Sequence, residues 1–280
     1  MAKFNEYTEK TTPDDNDITL ILDSTANANK KTPFSGIWSW IKGKIGDEDL
    51  IPIYANAGSH NSIYRGKNLG TSFTSAMSSA IQDGTFDDLF VGDYLTINGT
   101  VYRVAGFNLI KNCGDSVSIG NNMCLVPDSA LYSASMNPTN TTEGAYVNSE
   151  MRTTNLAQAT TKITTDFGSS HVISYRDILA NATSNGQASE WAWDDCKVEL
   201  MSEVMVYGTK VWGNSGYEVG CLNEQFPLFR LNPESIHRRF DYWLRSVQSS
   251  TNFALVNVNG IASGYPASGS LGVRPFFFVH

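Results

Sequence analysis

Few residues in this chain are spaced for chemistry. Ser39-Trp-Ile-Lys42 matches the Ser-x-x-Lys of an activated serine nucleophile, but its partner motifs are missing and the pattern is common by chance. There is no Gly-x-x-x-x-Gly-Lys-Ser/Thr phosphate cradle, no Gly-x-Gly-x-x-Gly after a strand and no Gly-x-Ser-x-Gly elbow. The histidines, His60, His171, His237 and His280, lie far apart, so they read as solvated or hydrogen-bonded rather than as a base or ligand set. Asp14-Asp-Asn-Asp17 offers oxygen ligands for Ca²⁺, yet lacks the EF-hand spacing and its closing Glu, and reads as a solvated acidic turn. Cys113, Cys124, Cys196 and Cys221 form no Cys-x-x-Cys pair and have no His at zinc spacing. Four cysteines allow two disulfides, but reduced, mostly buried thiols are the favoured reading. The expectation is therefore no catalytic residue, no metal and no cofactor.

A different pattern stands near the end of the chain. Residues 249–270, SSTNFALVNVNGIASGYPASGS, contain no Asp, Glu, Lys, Arg or His. Asp241-Tyr-Trp-Leu-Arg-Ser246 and Gly272-Val-Arg-Pro-Phe-Phe-Phe-Val-His280, dense in large side chains, bracket this stretch. Contact surfaces are built this way: Ser, Gly and Asn supply adaptable hydrogen bonds, and Tyr supplies area at low entropic cost. A turn-rich β-meander without a ligand has the same composition.

Composition bounds the rest. The chain has 280 residues, 41% apolar and 17% charged, enough for a core in one large or two smaller domains. Its net charge of −8 makes it a poor partner for phosphate backbones, which argues against a nucleic-acid binder. No apolar run approaches the ~18–20 residues of a membrane span, and the N-terminal residues lack the apolar core of a secretion signal.

The elements that would position the stretch follow from periodicity and turn chemistry. Ile18–Leu22 reads as a strand, and Phe34, Ile37, Trp38, Ile41 and Ile45 fall at helical spacing before Gly46-Asp-Glu-Asp49. Such a strand and helix cannot bury both tryptophans alone. Residues 51–70 read as loop, followed by a helix from Thr71 or Ser72 to about Gln82, ended by Gly84. Tyr94–Ile97 and Thr100–Val104 flank Asn98-Gly99, the signature of a hairpin. Cys124–Val126 reads as a strand, Tyr146–Gln158 and Tyr175–Asn181 as short helices, and Val198–Tyr207 as strand or helix. Tyr242–Val247, Phe253–Val258 and Val273–Val279 read as strands. The mixed order and β-rich end predict an α+β fold.

Tyr242-Trp-Leu-Arg-Ser246, Phe253-Ala254, Gly260, Ala267-Ser268 and Gly272-Val-Arg-Pro275 resemble the C-terminal signature of C-type-lectin-like domains in phage and prophage proteins of gut Firmicutes. Many of those are variable proteins of diversity-generating retroelements. Tyr64-Arg-Gly-Lys67, Gly92-Asp-Tyr94, Tyr102–Phe107, Val126-Pro-Asp128, Asn140–Gly144, Ser149–Arg152, Glu199–Glu203, Tyr207-Gly208, Gly216-Tyr217 and Gln225–Phe229 extend the likeness over roughly residues 55–280. The resemblance implies a C-type-lectin-like ligand-binding domain at 90–280, a connecting segment with a helix at 51–89 and an anchoring or oligomerisation segment at 1–50. It implies a virion protein, receptor-binding or adhesin in type, made in a bacterial host's cytoplasm and lacking enzyme activity. Its partners would be a host cell-surface receptor, protein or glycan, other virion proteins through residues 1–50, and copies of itself in a homotrimer, with neither nucleic acid nor membrane insertion. The diversified positions map to Thr251, Asn252, Leu255, Asn257, Asn259, Ser263, Gly264, Tyr265, Pro266 and Gly269, with Phe253 adding apolar area. Trp243, Arg245, Gly260, Arg274 and Pro275 would be framework. Adenine-directed change of Asn codons yields no Lys, Glu, Gln, Met or Trp, and 249–270 holds none of these. Gly120-Asn-Asn-Met123 stands where relatives commonly have a His pair. The alternatives are a head or tail decoration or fibre protein without a receptor role, or an enzyme akin to the formylglycine-generating enzymes, which share the fold.

Overall fold

A computed structural model describes residues 14, 16–41, 56–213 and 220–280. Residues 11–13, Asp15, 42–50 and Gly216-Tyr217, on which some expectations above fall, lie outside the described residues. The chain divides into two compact units, Met1–Tyr54 and Ala55–His280.

The smaller unit is a β-hairpin and a helix. Strands β1 (Ile18–Asp23) and β2 (Ala28–Pro33) pair antiparallel from Ile18↔Pro33 to Asp23↔Ala28. The polar run Asn27–Lys31 thus enters the hairpin, with Asn27 supplying a positive φ of 46° at the turn. Helix α1 covers 34–41. Among residues of this unit with described side chains, none is buried.

The larger unit opens with the short helix α2 (Ala57–His60), inside the stretch expected to be loop, and α3 (Ser75–Asp83). Thr74, not Thr71 or Ser72, caps α3: its hydroxyl accepts the Met77 N–H, and Gly84 ends the helix at φ 76°. Arg65 carries this segment onto the domain through Asp93, whose buried carboxylate also accepts the N–H groups of Lys67 and Phe90. Strands β3 (Tyr94–Ile97) and β4 (Thr100–Phe107) form the expected hairpin, with Asn98 at φ 47° and Gly99 at φ 79°. Then come β5 (Met123–Pro127), β6 (Tyr132–Ala134), a π-helical turn at Met151–Asn155 and α4 (Leu156–Phe167).

Tyr175–Asn181 is not helical. It belongs to β7 (Tyr175–Ser184), which pairs along its length with β8 (Gln187–Cys196). The turn is Asn185-Gly186 at φ 52° and 74°, and Tyr175, Asp177 and Leu179 are buried with a period of two. Val198–Tyr207 is both of the proposed elements: β9 (Val198–Leu200), then α5 (Glu203–Tyr207) capped by Ser202. Helix α6 (Pro227–Leu231) precedes the C-terminal strands β10 (Tyr242–Val247), β11 (Asn252–Val256), β12 (Ala262–Pro266), β13 (Leu271–Val273) and β14 (Pro275–Val279).

Two five-stranded sheets result, in the orders β12-β11-β10-β13-β6 and β3-β4-β5-β14-β9. The expected single strand at 273–279 switches sheets at Arg274: β13 pairs with β10 and β6, β14 with β5 and β9. Every residue of β14 is buried, with Phe276, Phe277 and Phe278 fully enclosed. Trp243 is fully buried and its Nε1–H donates to the Ala134 carbonyl at 2.9 Å. Arg274, also fully buried, sits over the rings of Tyr242 and Phe229 and donates to the carbonyls of Pro127 and Ser235.

The thiol expectation needs correction. Cys113, in the loop after β4, and Cys221 are joined as a disulfide across 108 residues of sequence. Chain folding brings two distant loops together there, and the Cys221 N–H is further held by Asp177 Oδ1 at 2.7 Å. Cys124 and Cys196 are buried free thiols, as expected.

Candidate functional site

Residues 249–270 form the edge of the first sheet. Strand β11 runs between β10 and β12, pairing Asn252↔Pro266, Phe253↔Tyr265, Ala254↔Gly264, Leu255↔Ser263 and Val256↔Ala262. With β12 at the rim, the strand's outer flank is open. Thr251, Asn259 and Tyr265 are exposed, and Asn252, Asn257, Ser263, Gly264, Pro266 and Gly269 are partly so. Leu255, assigned to the contact surface, is instead 3% exposed, and Phe253 is fully buried. Phe253, Ala254, Leu255 and Val256 are buried in succession, so both faces of β11 are covered and these side chains supply core area rather than contact area.

The nine accessible positions do not form one patch. Thr251, Asn252, Pro266 and Gly269 cluster where β10 ends and β11 begins. Asn257 and Asn259 lie at the other end, roughly 16 Å away at about 3.3 Å per strand residue. Tyr265, 45% exposed, lies over Gly269: a Cβ on that glycine would meet the ring at 2.2 Å. The Tyr265 ring also approaches buried Trp243, 6.3 Å between centroids.

At the far end Asn257 has a task of its own. Its Oδ1 accepts the N–H groups of Asn259 (2.9 Å) and Ile261 (3.0 Å) and so closes the β11–β12 turn. Asp241 accepts the Val258 N–H at 2.8 Å. Gly260 sits at φ 77°, and a Cβ there would lie 2.0 Å from the His237 ring, so its framework place is fixed twice over. Asn257→Ala is expected to cost about 1–2 kcal/mol of stability by removing the two hydrogen bonds that close the turn. Urea denaturation checks this, and an unchanged midpoint would leave Asn257 available as a pure contact residue.

Other segments meet the near end, and sequence reasoning missed them. Thr142 donates its N–H to the Ser250 carbonyl (3.1 Å) and its hydroxyl to that of Ser249 (2.8 Å). Asn140 Oδ1 accepts from the N–H and hydroxyl of Ser268. The β7–β8 tip abuts Ser250, 2.5 Å from where a Cβ on Gly186 would stand. Beyond Ser246, the buried carboxylate of Glu203 accepts three successive backbone N–H groups, from Val211 (3.1 Å), Trp212 (2.9 Å) and Gly213 (2.6 Å). This fixes a loop whose Trp212 remains 52% exposed, beside exposed Val211. The signal available in the sequence was a large apolar pair, Val211-Trp212, set among turn residues.

The chemistry-capable groups lie elsewhere. Burial above all, then the nearby charges of Glu199 and Asp177, pushes the Cys196 thiol well above the ordinary thiol range, which suppresses the thiolate. Burial alone does the same to Cys124. Among the described residues, no group of three or more His, Cys, Asp or Glu is arranged to hold a metal ion, and no helix is long and apolar enough to cross a membrane. No protein-family model, curated protein or solved structure matches the chain.

Proposed function

We propose that the chain is a phage virion protein of receptor-binding type, and that its larger unit is a C-type-lectin-like domain. It presents the β11–β12 edge to a receptor, protein or glycan, on a bacterial host cell. Copies associate through residues 1–50, most simply as a trimer, which also join other virion proteins. The reading rests on the resemblance set out above and on one observation. An uncharged hairpin rich in small side chains, open at its rim, is paired on its inner side to β10, which buried Trp243 and Arg245 anchor. Recognition there is by contact: Tyr265 supplies area, Thr251, Asn252 and Ser263 supply hydrogen bonds, and linked copies add avidity.

Binding of the purified chain to a panel of intact bacterial strains tests this. Tyr265→Ala is expected to weaken binding to a recognised strain tenfold or more, the loss typical of an aromatic hot spot. Leu255→Val, buried beneath the surface, should leave affinity within about twofold. Equal loss from both would point to damaged folding instead. Binding to particles but to no cell would favour the decoration-protein reading.

A further inference from the structure

Three guanidinium groups of the larger unit gather around one half-buried carboxylate. Asp128, just after β5, is gripped through both oxygens by Arg103 of β4, and its Oδ1 also accepts from Arg238 Nη2 at 2.8 Å. Arg238 Nε and Arg274 Nη2 both donate to the Ser235 carbonyl, at 3.0 and 3.1 Å. Donors outnumber acceptors here. Arg274 Nη1 is buried and, like Arg238 Nη1, meets no acceptor among the described residues. Burial first, then the charge of Arg274, holds the Arg238 guanidinium below its ordinary range despite Asp128. Beside these groups lies a recess of about 150 Å³, lined by Tyr64, Arg103, Asn232, Glu234, Ser235 and Arg238. Pockets for drug-sized ligands run from roughly 300 Å³ upward, so this one suits a single small group. The Tyr64 ring lies against Gly92, where a Cβ would meet it at 2.2 Å, and the Gly92 carbonyl accepts from Arg103 at 2.7 Å. The phenol is thus set beside the arginine.

We propose that this recess binds a carboxylate group of a ligand, with Arg238 as its main partner and Tyr64 and Asn232 as neutral donors. The cluster has charge to spare: three arginines face Asp128 and the exposed Glu234, which leaves one positive charge over. Charges withdrawn from water are ordinarily paired, and a monoanion completes the pairing. A phosphate monoester would bring nearly two charges toward Glu234. The planar guanidinium fork also matches a planar carboxylate. Arg103 and Arg238 are both partly exposed, so a ligand can reach them. Glu234 opposes the ligand at the recess and limits its affinity. This site is independent of the cell-binding reading above.

NMR titration of the full chain tests this, following the arginine Nε–H signals as glucuronate, glucose or inorganic phosphate is added at low salt. Glucuronate is expected to shift the Arg238 signal saturably, and glucose, the same ring without the carboxylate, to leave it still. Glu234→Gln, an exposed change that spares the fold, should tighten glucuronate binding about two- to fivefold by removing the opposing charge. Arg238→Lys keeps the charge but loses the fork and should weaken binding about tenfold, with the Arg103 signal reporting that the site is still folded. An Arg238 signal indifferent to glucuronate would overturn the proposal. So would equal binding by Arg238→Lys, or weaker binding by Glu234→Gln. Tighter binding of phosphate than of glucuronate would overturn the assignment to a carboxylate.

Discussion

Replacing Asp177 by alanine is expected to destabilise the larger unit by about 3–5 kcal/mol, the usual cost of removing one member of a buried ion pair. Asp177 is fully buried and Arg245 nearly so, with the carboxylate 3.3 Å from both guanidinium nitrogens. The other carboxylate oxygen accepts the N–H groups of Ile178 and Cys221. Alanine would thus take the Asp177 carboxylate from buried Arg245 and leave two backbone donors without their acceptor. Urea denaturation followed by tryptophan fluorescence reads the change. Asp177→Leu combined with Arg245→Met should recover part of the loss, because it removes the buried guanidinium charge while the Ile178 and Cys221 N–H groups still lack their acceptor. A single-variant loss under 1 kcal/mol would show the pair to be hydrated and weakly coupled.

Removing the Cys113–Cys221 bridge is the second large effect. It closes a loop spanning 108 residues, for which the chain-entropy account gives about 4–5 kcal/mol, while measured losses run from about 2 to 5. Cys113→Ser with Cys221→Ser should lower the denaturation midpoint accordingly, and dithiothreitol should then have no further effect. A parent protein indifferent to reductant would show that the bridge contributes little. The two losses should not add, since the Cys221 N–H is one of the donors Asp177 satisfies and both changes loosen the same loop.

Local chemistry was legible in the sequence wherever one residue decides it. Asn98-Gly99 sets a hairpin turn through positive φ, and Gly84 stops α3 for the same reason. Asn185-Gly186 carries an identical signal, but the apolar spacing of Tyr175–Asn181 also suits a helix, and only pairing with β8 decides between them. Leu255 was placed on the surface by the resemblance alone, although the unbroken apolar run Phe253–Val256 is the pattern of a strand covered on both faces. The cysteine pairing depends on two loops meeting in space, and spacing cannot predict that. Asn257 shows the reverse case: Asn-x-Asn-Gly is a local turn pattern whose side-chain bond was readable before any fold.

The edge strand Ala262–Pro266 has an evolutionary corollary. Its ladder to Asn252–Val256 is made of main-chain bonds, which are indifferent to what side chains the strand carries. Positions such as Ser263 and Tyr265 can therefore be rewritten without unzipping the sheet, whereas Leu255 and Asn257, a few residues away, answer to the fold. Selection on this protein would find novelty and architecture recorded on separate residues of one short hairpin.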